Sequence, residues 1–299
     1  MTSTPTQGAC EVGFGFHIDD GSFGDVPAEF HIRPLAPRAP FLRRQAVFTG
    51  MAVLTAALVT WVVTVQRMRG MDAGPGTDLG SLGWYVGVWM TMMAAMMFPS
   101  ALPMVLLFDR ISQARESRWS RFGSTWLFVA GYLAIWTLYG VAAFGVYRGV
   151  AGLHVRSFAW DRSGAYVAGA LIALAGVYEL TPLKTICLRH CRSPLHFVLS
   201  GWKSGRLGAI RMGLTHGSYC LGCCWGLMLL LFAVGVMSLF WMAVVAALIF
   251  AQKLLPFGER LPYAFALGFI ALGIWVAVAP GSVPKLTQPG SHTPTQMKP

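Results

Sequence analysis

Charged residues are scarce in this sequence. They make up 12% of its 299 positions, while apolar residues make up 55%, and an ordinary soluble domain carries about a quarter charged residues. Acidic residues are the rarest charges, with 12 Asp and Glu against 23 Lys and Arg. This shortage excludes a soluble globular domain, because water cannot be the solvent of most of the chain.

Several motifs of common enzymes are also missing. We find no Gly-Lys-Ser or Gly-Lys-Thr phosphate loop, no G-x-G-x-x-G after a strand, no His-Glu-x-x-His and no exposed G-x-S-x-G. ATP-driven pumping, dinucleotide chemistry, zincin proteolysis and serine hydrolysis therefore lack support. The net charge of +11 comes from basic residues scattered between apolar runs, so no nucleic-acid partner is predicted.

The two ends of the chain differ in composition from its middle. Residues 1–44 are polar, rich in Pro and Gly, and have no apolar core like that of a signal peptide, which argues against a secreted disulfide scaffold despite six cysteines. We expect a disordered N-terminal tail over 1–44, a transmembrane helical domain over 45–280 and a disordered C-terminal tail over 281–299.

Long apolar runs fill the region between these tails. About 20 helical residues are needed to cross roughly 30 Å of hydrocarbon, and seven runs approach that length. They cover approximately 45–65, 83–108, 122–147, 164–183, 212–234, 236–254 and 262–280. The sequence therefore predicts an all-α, polytopic bundle of about seven spans. Six spans are possible, because the fifth and sixth runs are nearly continuous and both cross only if Gly235 marks a tight turn.

The distribution of basic residues predicts the orientation of these spans. With the N-terminus in the cytoplasm, 16 of the 23 Lys and Arg residues lie on the cytoplasmic side, as the positive-inside rule requires. The loop 184–211 then faces the cytoplasm. We expect an integral protein of a bacterial inner membrane, with the lipid bilayer as its surroundings.

Five of the six cysteines fall in two short groups with histidines. The first group is Cys187, His190 and Cys191, which share one face of a helix at positions i, i+3 and i+4. The second group lies within an arc of about 100° on the fifth predicted span and consists of His216, Cys220, Cys223 and Cys224. Thiolate and imidazole donors suit a soft ion, copper(I) first and zinc second.

A packing role for the second group stays open. Gly213 and Gly217, like Gly222 and Gly226, have the four-residue spacing that lets membrane helices approach closely, and cysteine is itself a small apolar filler. Packing alone does not explain His216, because an imidazole is a polar group.

Two further kinds of residue in the predicted spans are candidate ligands. Met93 and Met97 lie at i and i+4 in a methionine-rich second span and could present two thioether sulfurs, although methionine is also a common core filler. Glu179 in the fourth span is an intramembrane carboxylate. It is a candidate ligand, a proton acceptor or the partner of Arg211 or Lys184.

The cysteine and histidine strings resemble a known family. The resemblance rests on Tyr178-Glu179-Leu-Thr-Pro-Leu-Lys184, on Cys187-Leu-Arg-His190-Cys191, on His216-Gly-Ser-Tyr-Cys220-Leu-Gly-Cys223-Cys224-Trp225 and on the Met-rich stretch to Met104. Over about residues 85–256 the chain is similar to bacterial proteins described as predicted metal-binding integral membrane proteins. The resemblance implies metal ligands at Cys187, His190, Cys191, His216, Cys220, Cys223 and Cys224.

The sequence favours a membrane protein that binds a soft metal ion for handling or transport. One alternative is a membrane metalloenzyme or redox partner that uses the same Cys, His and Met ligands. Another is a structural or thiol-exchange subunit. Whether the chain is an enzyme, and whether it forms a homo-oligomer or joins a partner subunit, are left open.

Overall fold

The computed structural model describes residues 39–68, 80–115, 118–152, 160–234, 238–258 and 260–279, and all regular structure within them is helical. The helices, in chain order, are α1 Ala39–Met68, α2 Leu82–Arg115, α3 Arg118–Gly152, α4 Trp160–Glu179, α5 Pro182–Arg192, α6 Pro194–Ser200, α7 Gly205–Val234, α8 Leu239–Leu254 and α9 Leu261–Val278. The prediction of an all-α membrane protein is confirmed.

Each of the seven predicted apolar runs coincides with one of the helices α1–α4 and α7–α9. Five helices, α1, α2, α3, α7 and α9, are long and apolar enough to cross a membrane. A sixth span is obtained if Tyr166–Glu179 and Pro182–Arg192, which are bent by 64°, form one broken crossing. The seventh run forms α8, which is apolar but has only 16 residues. The orientation of the termini stays a prediction.

One predicted boundary differs from the one observed, and several predictions lie outside the described residues. The N-terminal tail was expected to end at residue 44, whereas α1 begins at Ala39; the remainder of that tail, the tail 281–299 and the turn predicted at Gly235 lie outside the described residues. The helices α5 and α6 were not expected as separate elements.

Prolines explain why the segment after α4 is divided. Proline has no backbone N–H to continue a helix and disfavours helical geometry in the residue before it. The last turn of α4 is instead closed by the N–H of Thr181, which donates to the carbonyl of Tyr178 at 3.0 Å. Pro182 then starts α5. Ser193 and Pro194 separate α5 from α6 in the same way.

The chain divides into two compact units. The first contains the described residues up to Thr55 together with Ala101–Ile135 and Pro182–Cys223. The second contains Ala56–Ser100, Trp136–Thr181 and the described residues from Cys224 onward. Most of the candidate site residues lie in the first unit.

In the second unit, small residues bring α4 and α9 together. A Cβ atom on Gly169 would lie 2.6 Å from the carbonyl oxygen of Gly273, and one on Gly176 would lie 2.9 Å from that of Ala266. The two backbones therefore touch directly, as small-residue interfaces of membrane helices do.

In the first unit, the same kind of contact joins α3 and α7. A Cβ atom on Gly131 would lie 2.5 Å from the carbonyl oxygen of Ile210, and one on Gly217 would lie 3.0 Å from Cβ of Ile135. Gly213 meets the backbone of Phe128. The packing role predicted for Gly213 and Gly217 thus has a physical basis, and it does not exclude a chemical role for their neighbours.

We expect Gly131→Ala to destabilise the protein, because the new methyl group meets backbone that cannot rotate away. Overpacking of this kind costs about 1–3 kcal/mol, and the thermal midpoint in detergent should fall by several degrees. Gly123→Ala is the matched control on the same helix, since a Cβ atom there has nothing within 4 Å. An equal midpoint for the two variants would contradict this account of the contact.

Candidate metal site in the first unit

The candidate ligands on α5 form the first half-site, and because this segment is helical their i, i+3 and i+4 spacing puts them on one helical face. Cys187, His190 and Cys191 all lie on this helix, with Cys187 completely buried and Cys191 half-buried. Cys187 is disulfide-bonded, so its sulfur can act as a metal ligand only after reduction. Cys191 is present as a thiol.

The ring of His190 is fixed in one orientation. Its Nδ1 lies 3.0 Å from the carbonyl oxygen of Ile186 one turn earlier, and its ring stacks on Tyr219 with the centroids 4.2 Å apart and the planes 5° from parallel. A carbonyl oxygen only accepts, so Nδ1 donates in this contact, and in the neutral imidazole Nε2 carries the lone pair. Metal-binding histidines usually show this arrangement, in which the second nitrogen donates to a backbone carbonyl.

The half-site on α7 is buried within the first unit. His216 is 3% exposed, Cys220 0% and Cys223 1%. The imidazole of His216 lies among the aromatic rings of Phe128, Tyr132 and Phe197, at centroid distances of 5.9, 5.5 and 5.6 Å. These rings come from α3 and α6, so His216 occupies a largely aromatic environment where three helices meet.

One pair of sulfur atoms connects the two half-sites. Sγ of Cys223 on α7 lies 3.7 Å from Sγ of Cys191 on α5, and it also lies 3.2 Å from the carbonyl oxygen of Cys220. Two sulfurs that share one ion through bonds of about 2.3 Å, the zinc–thiolate value, are about 3.8 Å apart at a tetrahedral angle. The Cys191 and Cys223 sulfur atoms are therefore close to the separation that two ligands of one tetrahedral ion have.

Tyr132 is a site neighbour that the sequence analysis did not identify. Its hydroxyl oxygen lies 3.1 Å from Sγ of Cys220, and its ring is the one that stacks on His216 at 5.5 Å. The close contact between α3 and α7 places it there. A single tyrosine in an apolar span carries no sequence signal of such a role.

The remaining candidate ligands belong to the second unit. Cys224 is 2% exposed, and Met93 and Met97 are both completely buried. Glu179 is 1% exposed, and its Oε2 accepts a hydrogen bond of 2.8 Å from Nε2 of Gln252 on α8. This amide was not foreseen as a partner of Glu179. The participation of these four residues in metal binding stays a prediction.

The described part of the chain contains no group of three or more His, Cys, Asp or Glu residues arranged to hold one ion. The arrangement that the distances show is therefore a pair of sulfur atoms. Structural zinc sites almost always have four ligands, and two thiols alone do not provide them. A soft ion that prefers thiolate fits this donor set better.

We expect Tyr132→Phe to lower the thermal midpoint in detergent, because the change removes the contact between a hydroxyl and a buried thiol. A hydrogen bond of this kind contributes about 1 kcal/mol. Tyr85→Phe is the matched control, since the Tyr85 hydroxyl is buried and has no hydrogen-bond partner. A drop in the midpoint of Tyr85→Phe as large as that of Tyr132→Phe would show that the sulfur contact has no energetic importance.

The chain matches a known protein family. A family model described as "PpoB2: Copper chaperone" matches residues 86–276. The match includes nearly all of the region that resembles predicted metal-binding membrane proteins, and its description names copper where the resemblance implied only a metal. No curated protein and no solved structure matches the chain.

Proposed function

From the premise that this chain belongs to the PpoB2 copper chaperone family, we propose that it binds copper(I) between Cys191 and Cys223 and hands the ion on within the membrane. The observation that carries this proposal is the 3.7 Å separation between the two sulfur atoms. Family membership supplies copper as the ion, and the sulfur pair supplies a place for it.

The chemistry of capture follows from the two thiols. Copper(I) displaces one proton from each, so that two Cys–SH groups and one Cu⁺ give a bis-thiolate complex with one net negative charge and two released protons. Arg189 and Arg192 lie on α5 within two residues of Cys191 in the sequence, with Arg189 exposed. Their positive charge favours the thiolate over the thiol and offsets the charge of the complex.

A gradient of exposure supports a direction of transfer from the surface inward. Cys191 is half-buried, whereas Cys223 and Cys220 are almost completely buried. An ion captured at Cys191 and Cys223 can exchange Cys191 for Cys220, which lies one turn before Cys223 on α7. Copper(I) therefore need never leave sulfur as it moves away from the surface.

We propose that His190 supplies a nitrogen ligand to the ion held by Cys191 and Cys223. Its Nδ1–H donates a hydrogen bond to the carbonyl oxygen of Ile186, and Nε2 is the nitrogen that would bind the metal ion. Its ring stacks on Tyr219, which is a residue of α7, so the imidazole faces that helix. His216 and a reduced Cys187 complete the donors proposed within the first unit.

The chaperone role requires a recipient for the ion. We propose that the copper is delivered to another protein at a bacterial inner membrane, because a chaperone binds its cargo only to release it.

The first test is a double-mutant cycle on the two sulfurs. Changes in a metal's outer-shell partners cost about 10- to 100-fold in affinity, so Cys191→Ser and Cys223→Ser should each weaken copper(I) binding by about 100-fold or more. The double variant should be hardly weaker than either single variant, because the first loss already breaks the shared site. Affinity is measured by competition with a copper(I) chelator under anaerobic, reducing conditions.

Additive losses in that cycle would show that the two cysteines do not share one ion, and unchanged affinity in both single variants would remove the proposed site. Zinc binding measured on the same samples provides the comparison of metals. Tighter binding of zinc than of copper(I) by the wild type would also contradict the proposal.

The second test concerns the imidazole on α5. We expect His190→Ala to weaken copper(I) binding by about tenfold, because it removes one donor from the entry while leaving both sulfurs. His196→Ala is the matched control, since His196 is an exposed histidine on the neighbouring α6. Equal affinities of the two variants would exclude His190 as a ligand.

A further inference from the structure

A carboxylate that the copper proposal does not use lies buried in the first unit. Asp109 on α2 is 4% exposed and lies within the candidate span Leu82–Ala114. Intramembrane acidic residues are expensive to maintain and are usually functional. Asp109 lies one residue beyond Phe108, where the predicted second span ends.

Three neutral donors from three helices surround this carboxylate. Oδ1 accepts a hydrogen bond of 2.8 Å from Oγ1 of Thr125 on α3. Oδ2 accepts one of 2.7 Å from Nε2 of Gln113 on α2 and one of 3.2 Å from Oγ1 of Thr49 on α1. A carboxylate has about four lone-pair sites, two on each oxygen. The three bonds occupy both sites on Oδ2 and one on Oδ1, so the second site on Oδ1 is still available.

The negative charge of Asp109 is not matched by a cation among these contacts. Its hydrogen-bond partners on α1, α2 and α3 are all uncharged, and the adjacent basic residue, Arg110, is exposed and acts on Asp109 only electrostatically. Buried charges in proteins are normally paired or bound to an ion. Hydroxyl and amide donors alone satisfy the geometry of the carboxylate but do not neutralise it.

A second observation points to an ion at this place. Oε1 of Gln113 is buried and has no hydrogen-bond partner, although the Nε2 atom of the same amide lies 2.7 Å from Asp109. Gln113 is only 5% exposed. A buried acceptor without a hydrogen bond costs stability. A cation bound by Oε1 of Gln113 and by the Asp109 carboxylate would satisfy the first and neutralise the second.

We propose that Asp109, Gln113, Thr49 and Thr125 form a binding site for a sodium ion. The atoms of these side chains that can bind a metal ion are all oxygens, and oxygen ligands suit hard ions and not copper(I). The single carboxylate supplies one negative charge, which neutralises a monovalent ion, while calcium sites usually draw on several carboxylates. The site joins α1, α2 and α3 and contains none of the cysteines or histidines.

The experiment is thermal unfolding of the full chain in detergent, with sodium chloride titrated against choline chloride at constant ionic strength. The midpoint should rise saturably with sodium by about 3 °C, because a ligand that binds only the folded state stabilises it. Asp109→Asn should abolish the rise. Glu179→Gln is the matched control and should retain the rise. It also removes a buried carboxylate, but that carboxylate bonds the amide of Gln252 in the second unit and is not part of the sodium site.

A second variant protects the test against misfolding of Asp109→Asn. Gln113→Leu keeps the carboxylate and removes both the unsatisfied oxygen and the Nε2 donor to Asp109, so it should raise the sodium concentration at half-effect by about tenfold. An equal sodium response in wild type and Asp109→Asn would overturn the proposal, as would a midpoint that depends on pH through Asp109 but not on sodium. Cys191→Ser should keep the sodium response, which separates this site from the copper site.

Discussion

The backbone contact between α3 and α7 is the constraint on which the candidate site depends. Glycines at 131 and 213 let the backbones of the two helices touch directly, and Gly217 packs closely against Ile135. Tyr132 on α3 is thereby brought against Cys220 and His216 on α7. In a bilayer there is little hydrophobic drive for helices to associate, so close packing and polar contacts must hold them together. The same small residues that permit the packing therefore also determine the surroundings of the metal-binding groups.

Much of the architecture could be predicted from the composition of the sequence and from the spacing of its residues. Seven apolar runs predicted seven helices, because a chain in hydrocarbon must satisfy its backbone hydrogen bonds within each segment. The i, i+3, i+4 spacing of Cys187, His190 and Cys191 predicted a common helical face, and α5 is a helix over those residues. Local rules sufficed here because each of these features is contained within one segment of the chain.

Features that depend on contacts between helices were not readable. No pattern in the sequence indicated that Cys191 and Cys223, which are 32 residues apart, would bring their sulfurs together, or that Gln252 would bond Glu179. Lys184 was counted among the basic residues of a cytoplasmic loop, yet it is completely buried. Such placements follow from the angles at which helices pack, and those angles are set by many small contacts at once.

The short helix α8 has a consequence for the surrounding lipid. Its 16 residues give a length of about 24 Å, less than the roughly 30 Å of an average hydrocarbon layer. One way for a bilayer to match so short a span is to become thinner around it. Thinning brings the two aqueous phases closer together, which shortens the dehydrated path of a charged cargo and favours membranes with short acyl chains.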